Sequence, residues 1–123
     1  MLGRLALSEV GRRFARASVY CLPTRIEPFG VSILDAMMHR LPVVASTVGA
    51  IPDMVQEGVT GHMVAPGDPE LLAAKLNGLL QQSERCRRYG EAGFQRAAGH
   101  YTWSAVGARI RAHVMSCLGS ASA

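Results

Sequence analysis

No apolar run in this sequence approaches the roughly 18 to 20 residues needed to cross a bilayer, because Arg, Glu, Asp, His, Gly or Pro interrupts every one. A membrane-spanning helix is thereby excluded, and a soluble domain is predicted. Cysteine is scarce too. Cys21, Cys86 and Cys117 are odd in number and widely separated, which leaves no disulfide framework or zinc-type spacing and points to a reducing, cytoplasmic setting. His39, His62, His100 and His113 lack ligand-like spacing, so no metal is predicted and they read as surface or loop residues. Acids are nearly missing from the opening segment, where Arg4, Arg12, Arg13 and Arg16 meet only Glu9. That imbalance resembles an Arg-rich targeting helix, but a core-facing stripe of Leu5, Val10, Phe14 and Ala17 with a basic outer face is the simpler reading. The continuous apolar region of a secretory signal is absent, as are internal repeats and low-complexity tracts.

The 123 residues, 49% of them apolar, suit one domain with a single core. A net charge of +4 is dispersed over three segments, so no nucleic-acid partner is predicted. The same charge suits an anionic ligand or peripheral contact with an acidic membrane surface.

Residues 18–22 form a short β-branched and aromatic run ending at Pro23, the signature of a buried parallel strand. Residues 28–40 carry Phe29, Ile33, Ala36 and Met37 at helical spacing, with Pro28 in the first turn and Pro42 closing the segment after Leu41. Residues 43–45 are a second strand, 52–56 a short helix and 62–65 a third strand. Leu71, Leu72, Lys75, Leu76, Leu79 and Leu80 mark a helix capped by Asp68. Helices over 83–98 and 102–117 follow, separated by Gly99-His100-Tyr101, and 119–123 is a frayed tail after a domain spanning 1–118. Met37, Met38 and Met54 read as core fillers, Cys21 as a small core residue and Trp103 as a packing anchor. The predicted class is α/β: a partial, Rossmann-like, doubly wound parallel sheet with C-terminal helices and right-handed crossovers. Ligands of such sheets lie at the carboxyl ends of strands, which singles out the loops 23–30, 46–53 and 66–69.

Within the first of these loops, Glu27 precedes the helix, and Asp35 lies eight residues on, about two turns along it. A helix start offers unpaired amides and the positive end of a dipole, a seat for phosphate, and Gly30 removes the side chain that would bar close approach. Carboxylates accept from hydroxyls. Two acids framing an anion seat therefore suit a nucleotide-sugar. Spacing alone favours Glu27 as a helix cap and Asp35 as an exposed residue of the polar face.

The run Glu27-Pro-Phe-Gly-Val-Ser-Ile-Leu-Asp35-Ala-Met-Met-His-Arg-Leu-Pro-Val-Val-Ala-Ser46 resembles the Glu-x7-Glu signature of GT-B glycosyltransferases of the family 4 type. The resemblance continues through Gly49-Ala-Ile-Pro-Asp53, Glu57-Gly-Val-Thr-Gly61 and Val64-Ala-Pro-Gly-Asp68, extends upstream to Leu2-Gly3-Arg4 and residues 17–24, and reaches Tyr101-Thr-Trp103-Ser. It implies that Glu27 contacts the donor sugar and that the amides near Phe29, Gly30 and Val31 meet the sugar or diphosphate. Asp35 would hold the ribose hydroxyls, standing where the family has Glu, with a side chain shorter by about 1.5 Å. Ala50 replaces a frequent glycine in the loop beside the donor, and Thr24 and Arg25 lie close enough in sequence to join the site. The implied reaction moves a sugar from a nucleoside diphosphate donor to an acceptor hydroxyl, with retention and without an essential metal or other cofactor. Part of the family's sheet, its Arg and Lys pair and its acceptor domain would then lie outside these 123 residues, upstream or on a partner chain, leaving an uncovered sheet edge. The alternative is a non-catalytic nucleotide-sugar-binding or regulatory module.

Overall fold

A computed structural model describes residues 3–121. Three parallel strands, β1 (Tyr20–Leu22), β2 (Val43–Ser46) and β3 (Gly61–Val64), lie in the order β1-β2-β3, with Tyr20 opposite Val43 and Val43 opposite Gly61. The helices are α1 (Leu7–Arg16), α2 (Val31–Met38), α3 (Ile51–Met54), α4 (Pro69–Leu80), α5 (Ser83–His100) and α6 (Trp103–Ala121).

All four residues of β2 are buried, as a central parallel strand requires. Val43 and Ala45 pack with Ile33, Met37, Ile51, Met54 and Ala97 on one face. Val44 packs with Val64, Leu79 and Tyr89 on the other. Helices α2, α3 and the end of α5 thus cover one face, while α4 and the start of α5 cover the other. Burying each large aliphatic side chain here stabilises the fold by about 1.5 to 3 kcal/mol.

Several boundaries differ from the sequence reading. Helix α2 begins at Val31 rather than Pro28, because Gly30 adopts a left-handed conformation at φ 93° that no helical residue can share. It stops at Met38, and Arg40 is left-handed at φ 57°. Asp68 does cap α4: its Oδ1 accepts the Leu71 N–H at 2.9 Å. Helix α5 runs on through Gly99 and His100, since no proline intervenes and propagation costs little once a helix is formed. Thr102 Oγ1 accepts the Ala105 N–H at 3.2 Å at the head of α6, which extends through Gly119 to Ala121 where a frayed tail was expected. Met1, Leu2, Ser122 and Ala123 lie outside the described residues.

The predicted stripe on α1 holds only in part. Val10 and Phe14 are half-buried, but Leu5 and Ala17 fall outside the helix and are exposed. Phe14 makes the docking contact, 5.7 Å from the Tyr20 ring and 5.2 Å from His39 between centroids. Trp103 is 91% exposed and anchors nothing within this core, and Met38 is exposed while Met37 and Met54 are buried.

Helices α2 and α5 meet unusually closely. A Cβ at Gly90 would stand 2.0 Å from the Arg40 carbonyl oxygen, so only glycine permits the approach. The Arg40 side chain closes the same junction, donating from Nε to Glu91 Oε2 at 2.9 Å while its guanidinium lies 3.8 Å above the Phe94 ring. The C-terminal end of α2 is thereby held from both its backbone and its side chain.

Candidate functional site

Strands β1, β2 and β3 deliver Pro23, Ser46 and Ala65 to one end of the sheet, where a cleft of about 350 Å³ is lined by Thr24, Arg25, Ser46, Gly67 and Asp68 among others. All three loops singled out by topology border this end. The Thr24 N–H donates to Ser46 Oγ at 3.0 Å, tying the loop after β1 to the end of β2. Its hydroxyl donates to the Ile26 carbonyl at 2.8 Å, shaping the approach to Glu27. A larger concavity, about 610 Å³ along Glu9, Arg12, Arg13 and Arg16 of α1, is lined by no residue of these loops.

Gly49 lies against the backbone of Glu27. It is left-handed at φ 53°, and a Cβ there would lie 1.8 Å from the Glu27 carbonyl oxygen. The loop after β2 therefore presses backbone to backbone on the segment that leads into α2.

Around the start of α2 the carboxylate of Glu27 is half-buried, and its Oε1 accepts the Phe29 N–H at 3.3 Å. That bond engages one of the amides expected to face a ligand. The N–H groups of Val31 and Ser32 have no acceptor among the described residues, and the helix has no side-chain cap. Gly30 is buried, whereas Phe29 is 47% and Val31 62% exposed. The open amides thus lie at Val31 and Ser32, further along the chain than the predicted start at Pro28, which brings Asp35 to about one turn from the helix's first residue instead of two. Asp35 is exposed, and its carboxylate makes no hydrogen bond or ion pair among the described residues.

Tyr20 relates the two acids. Its hydroxyl donates to Ser32 Oγ at 2.8 Å. The phenol is pushed above its usual range, first by burial and then by the negative charges of Glu27 and Asp35, against the opposing pull of the Ser32 bond. Both carboxylates thus lie near enough to this phenol to oppose its ionisation. Tyr20 and Ser32 escaped the sequence reading; the one passed as a strand residue and the other as an ordinary helix position, and nothing local marks them as partners.

A second polar cluster serves the fold. Glu57 Oε1 accepts from His62 Nδ1 at 2.7 Å and Lys75 Nζ at 3.2 Å, and its Oε2 accepts the Met63 N–H at 2.6 Å. Burial raises the Glu57 carboxyl, but these donors outweigh it and hold the group below the usual carboxylate range. His62 is accordingly a half-buried β3 residue stacked edge-on against Tyr89, at 5.5 Å, and not the surface histidine expected. Burial pushes the Cys21 and Cys86 thiols up, away from nucleophilic character. Among the described residues no three His, Cys, Asp or Glu side chains gather as metal ligands, and no helix is long and apolar enough to cross a membrane.

Comparison with known proteins converges on one group. Residues 1–82 match the family described as glycosyl transferases group 1. The chain is 35% identical to the alpha-maltose-1-phosphate synthase of Mycobacterium tuberculosis over 109 residues, 84% of this chain and 28% of that protein. It is 37% identical to the sulfoquinovosyl transferase of Arabidopsis thaliana over 112 residues, 89% of this chain and 22% of that protein. The chain thus spans about a quarter of these relatives' length. Among solved structures, sucrose-phosphate synthase from Thermosynechococcus elongatus superposes with a TM-score of 0.83 at 26% identity, covering 97% of this chain and 30% of that one. Anabaena HepE in complex with UDP and glucose superposes with a TM-score of 0.81 at 25% identity, covering 94% and 31%. By sequence and by fold, then, this chain belongs to the glycosyl transferases group 1 family, with the GT-B architecture of the family 4 type.

Proposed function

We propose that this chain forms the nucleotide-sugar-binding portion of a glycosyltransferase that passes a sugar from a nucleoside diphosphate donor to an acceptor hydroxyl with retention at the anomeric carbon. The observation that carries this reading is the uncapped start of α2, where the N–H groups of Val31 and Ser32 lack acceptors, at the ligand-binding end of a parallel sheet, with Glu27 just before it in the chain and Asp35 one turn along it. The amides suit the diphosphate, Glu27 the sugar hydroxyls and Asp35 the ribose, with Phe29, Gly30 and Val31 bordering the donor. HepE, a structural neighbour, was solved with UDP and with UDP-glucose, which supports a donor of this kind.

In the proposed transfer the bond between the anomeric carbon and the distal phosphate oxygen breaks, and the nucleoside diphosphate leaves with the electron pair. The acceptor oxygen bonds to that carbon and loses its proton. The leaving charge is met by protein groups with no metal or other cofactor. We assign the remaining groups and the acceptor-binding domain to polypeptide outside residues 1–123, and the reaction to the cytoplasm. The outward arginines of α1, Arg12, Arg13 and Arg16, suit peripheral contact with an acidic membrane surface.

Titration of the chain with UDP-glucose and other nucleoside diphosphate sugars tests the reading. Glu27→Ala and Asp35→Ala are expected to weaken binding by roughly tenfold or more each, the scale of a lost hydrogen bond to a charged group. Unchanged affinity in both variants overturns the assignment.

A further inference from the structure

We infer that His113 and Cys117 form half of a zinc-type metal site, completed by the same two residues of a second copy of this chain. Histidines counted among themselves show no ligand spacing, but His113 and Cys117 are four residues apart on α6, so their side chains lie one above the other on a single face. Cys117 Sγ stands 3.8 Å from His113 Nε2. Zinc bonds of about 2.3 Å to sulfur and about 2.0 Å to nitrogen, opened to a tetrahedral angle, hold those two atoms about 3.5 Å apart. The pair therefore needs to close by only roughly 0.3 Å, the difference of these distances, to chelate one ion.

The chemistry of the donors decides which ion. Helix α6 carries no Asp or Glu, so cations that seek oxygen ligands find no carboxylate on it. A thiolate beside an imidazole selects zinc and similar transition metals instead. Both side chains are exposed and can be reached from solvent.

One chain supplies too few ligands. A closed structural zinc takes four, and among the described residues no third His, Cys, Asp or Glu joins this pair. Two copies provide two thiolates and two imidazoles. As the ion binds, both thiols release their protons to solvent, which leaves a site with no net charge. Helix α6 is placed to meet a second copy, because every residue from Gly107 to Ser120 is exposed. Ile110 and Val114, 60% and 48% exposed, run into Cys117 at helical spacing, so the second copy would cover an apolar line as it completes the metal site. Arg109, one turn before His113, donates to the His100 carbonyl at 2.6 Å, which draws its charge toward the end of α5.

The test uses the full chain under a phosphine reductant, with cobalt(II) as the spectroscopic stand-in for zinc. Cobalt should produce a thiolate charge-transfer band that saturates at one ion per two chains and disappears when zinc displaces it. The solution mass, by sedimentation, should double with zinc and revert with a chelator. Cys117→Ser is expected to abolish the band and His113→Ala to weaken zinc binding at least tenfold, a loss of about 1.4 kcal/mol or more, while Cys86→Ser leaves both unchanged. The circular dichroism of the two ligand variants should match wild type, since neither side chain is buried. Absence of the band, its persistence in Cys117→Ser, or saturation at one ion per chain with a monomeric mass overturns the inference. So does doubling that appears only without reductant, which marks a disulfide between copies.

Discussion

Replacing Gly90 by Ala sets two physical rules against each other. In a helix interior the change should stabilise by up to about 1 kcal/mol, since Ala restricts the unfolded chain and favours the helix. At this position, however, the added Cβ would lie 2.0 Å from the Arg40 carbonyl oxygen, where ordinary contact begins at 3.4 Å. Helix α5 or the end of α2 must therefore retreat by roughly 1.4 Å, the difference of those two distances. That movement loosens Gly93 and Ala97 from Met37 and its neighbours and strains the Arg40–Glu91 bond. Overpacking of this kind costs about 1 to 3 kcal/mol, and so close an overlap belongs at the upper end, so that after the helix preference of up to about 1 kcal/mol a net loss of about 2 kcal/mol remains. For a chain of this size the thermal midpoint should fall by roughly 4 to 8 °C. Gly78→Ala in α4 is the matched control, because its Cβ would meet nothing within 4 Å and it should gain stability. Equilibrium urea denaturation followed by circular dichroism measures both. If Gly90→Ala raises the midpoint as the control does, the close packing of α5 on Arg40 is wrong.

Three further outcomes are expected. Gly49→Ala should displace the loop after β2 from the Glu27 carbonyl and lower UDP-glucose affinity at least tenfold, with a loss of about 1 to 3 kcal/mol of stability from the forced left-handed residue and the clash; full affinity in a titration would contradict this. Glu57→Gln should lower stability at neutral pH. The folded-state carboxyl is depressed, so its stabilisation is complete above the ordinary value of 4.5 and disappears as pH falls through the lower folded value. The difference in thermal midpoint between wild type and variant should accordingly shrink below that pH, and a constant difference would refute the role given to the three donors. Purified as residues 1–123 alone, the chain should transfer little or no sugar in a radiolabel assay, because the leaving-group and acceptor contacts are assigned to polypeptide beyond it; robust turnover would overturn that assignment.

Much of this protein was determined by residues near one another in sequence. The apolar run at Val43 to Ala45 could only be an interior strand, Asp68 could reach the amide three residues on, and Glu27, Gly30 and Asp35 fall within about two turns of chain. These features depend on local spacing, which sequence displays directly. Tertiary structure decided the close approach of the loop after β2 to the chain leading into α2, where a Cβ at Gly49 would meet the Glu27 carbonyl oxygen. It also decided the pairing of Tyr20 with Ser32, 12 residues apart, the reach of Lys75 to Glu57 across 18, and the closeness of Gly90 to Arg40. Each depends on which atoms of distant segments are brought within a few ångströms, a condition that periodicity and composition do not encode. Trp103 makes the same point: its size predicted burial, but burial requires a facing surface, and the described residues supply none.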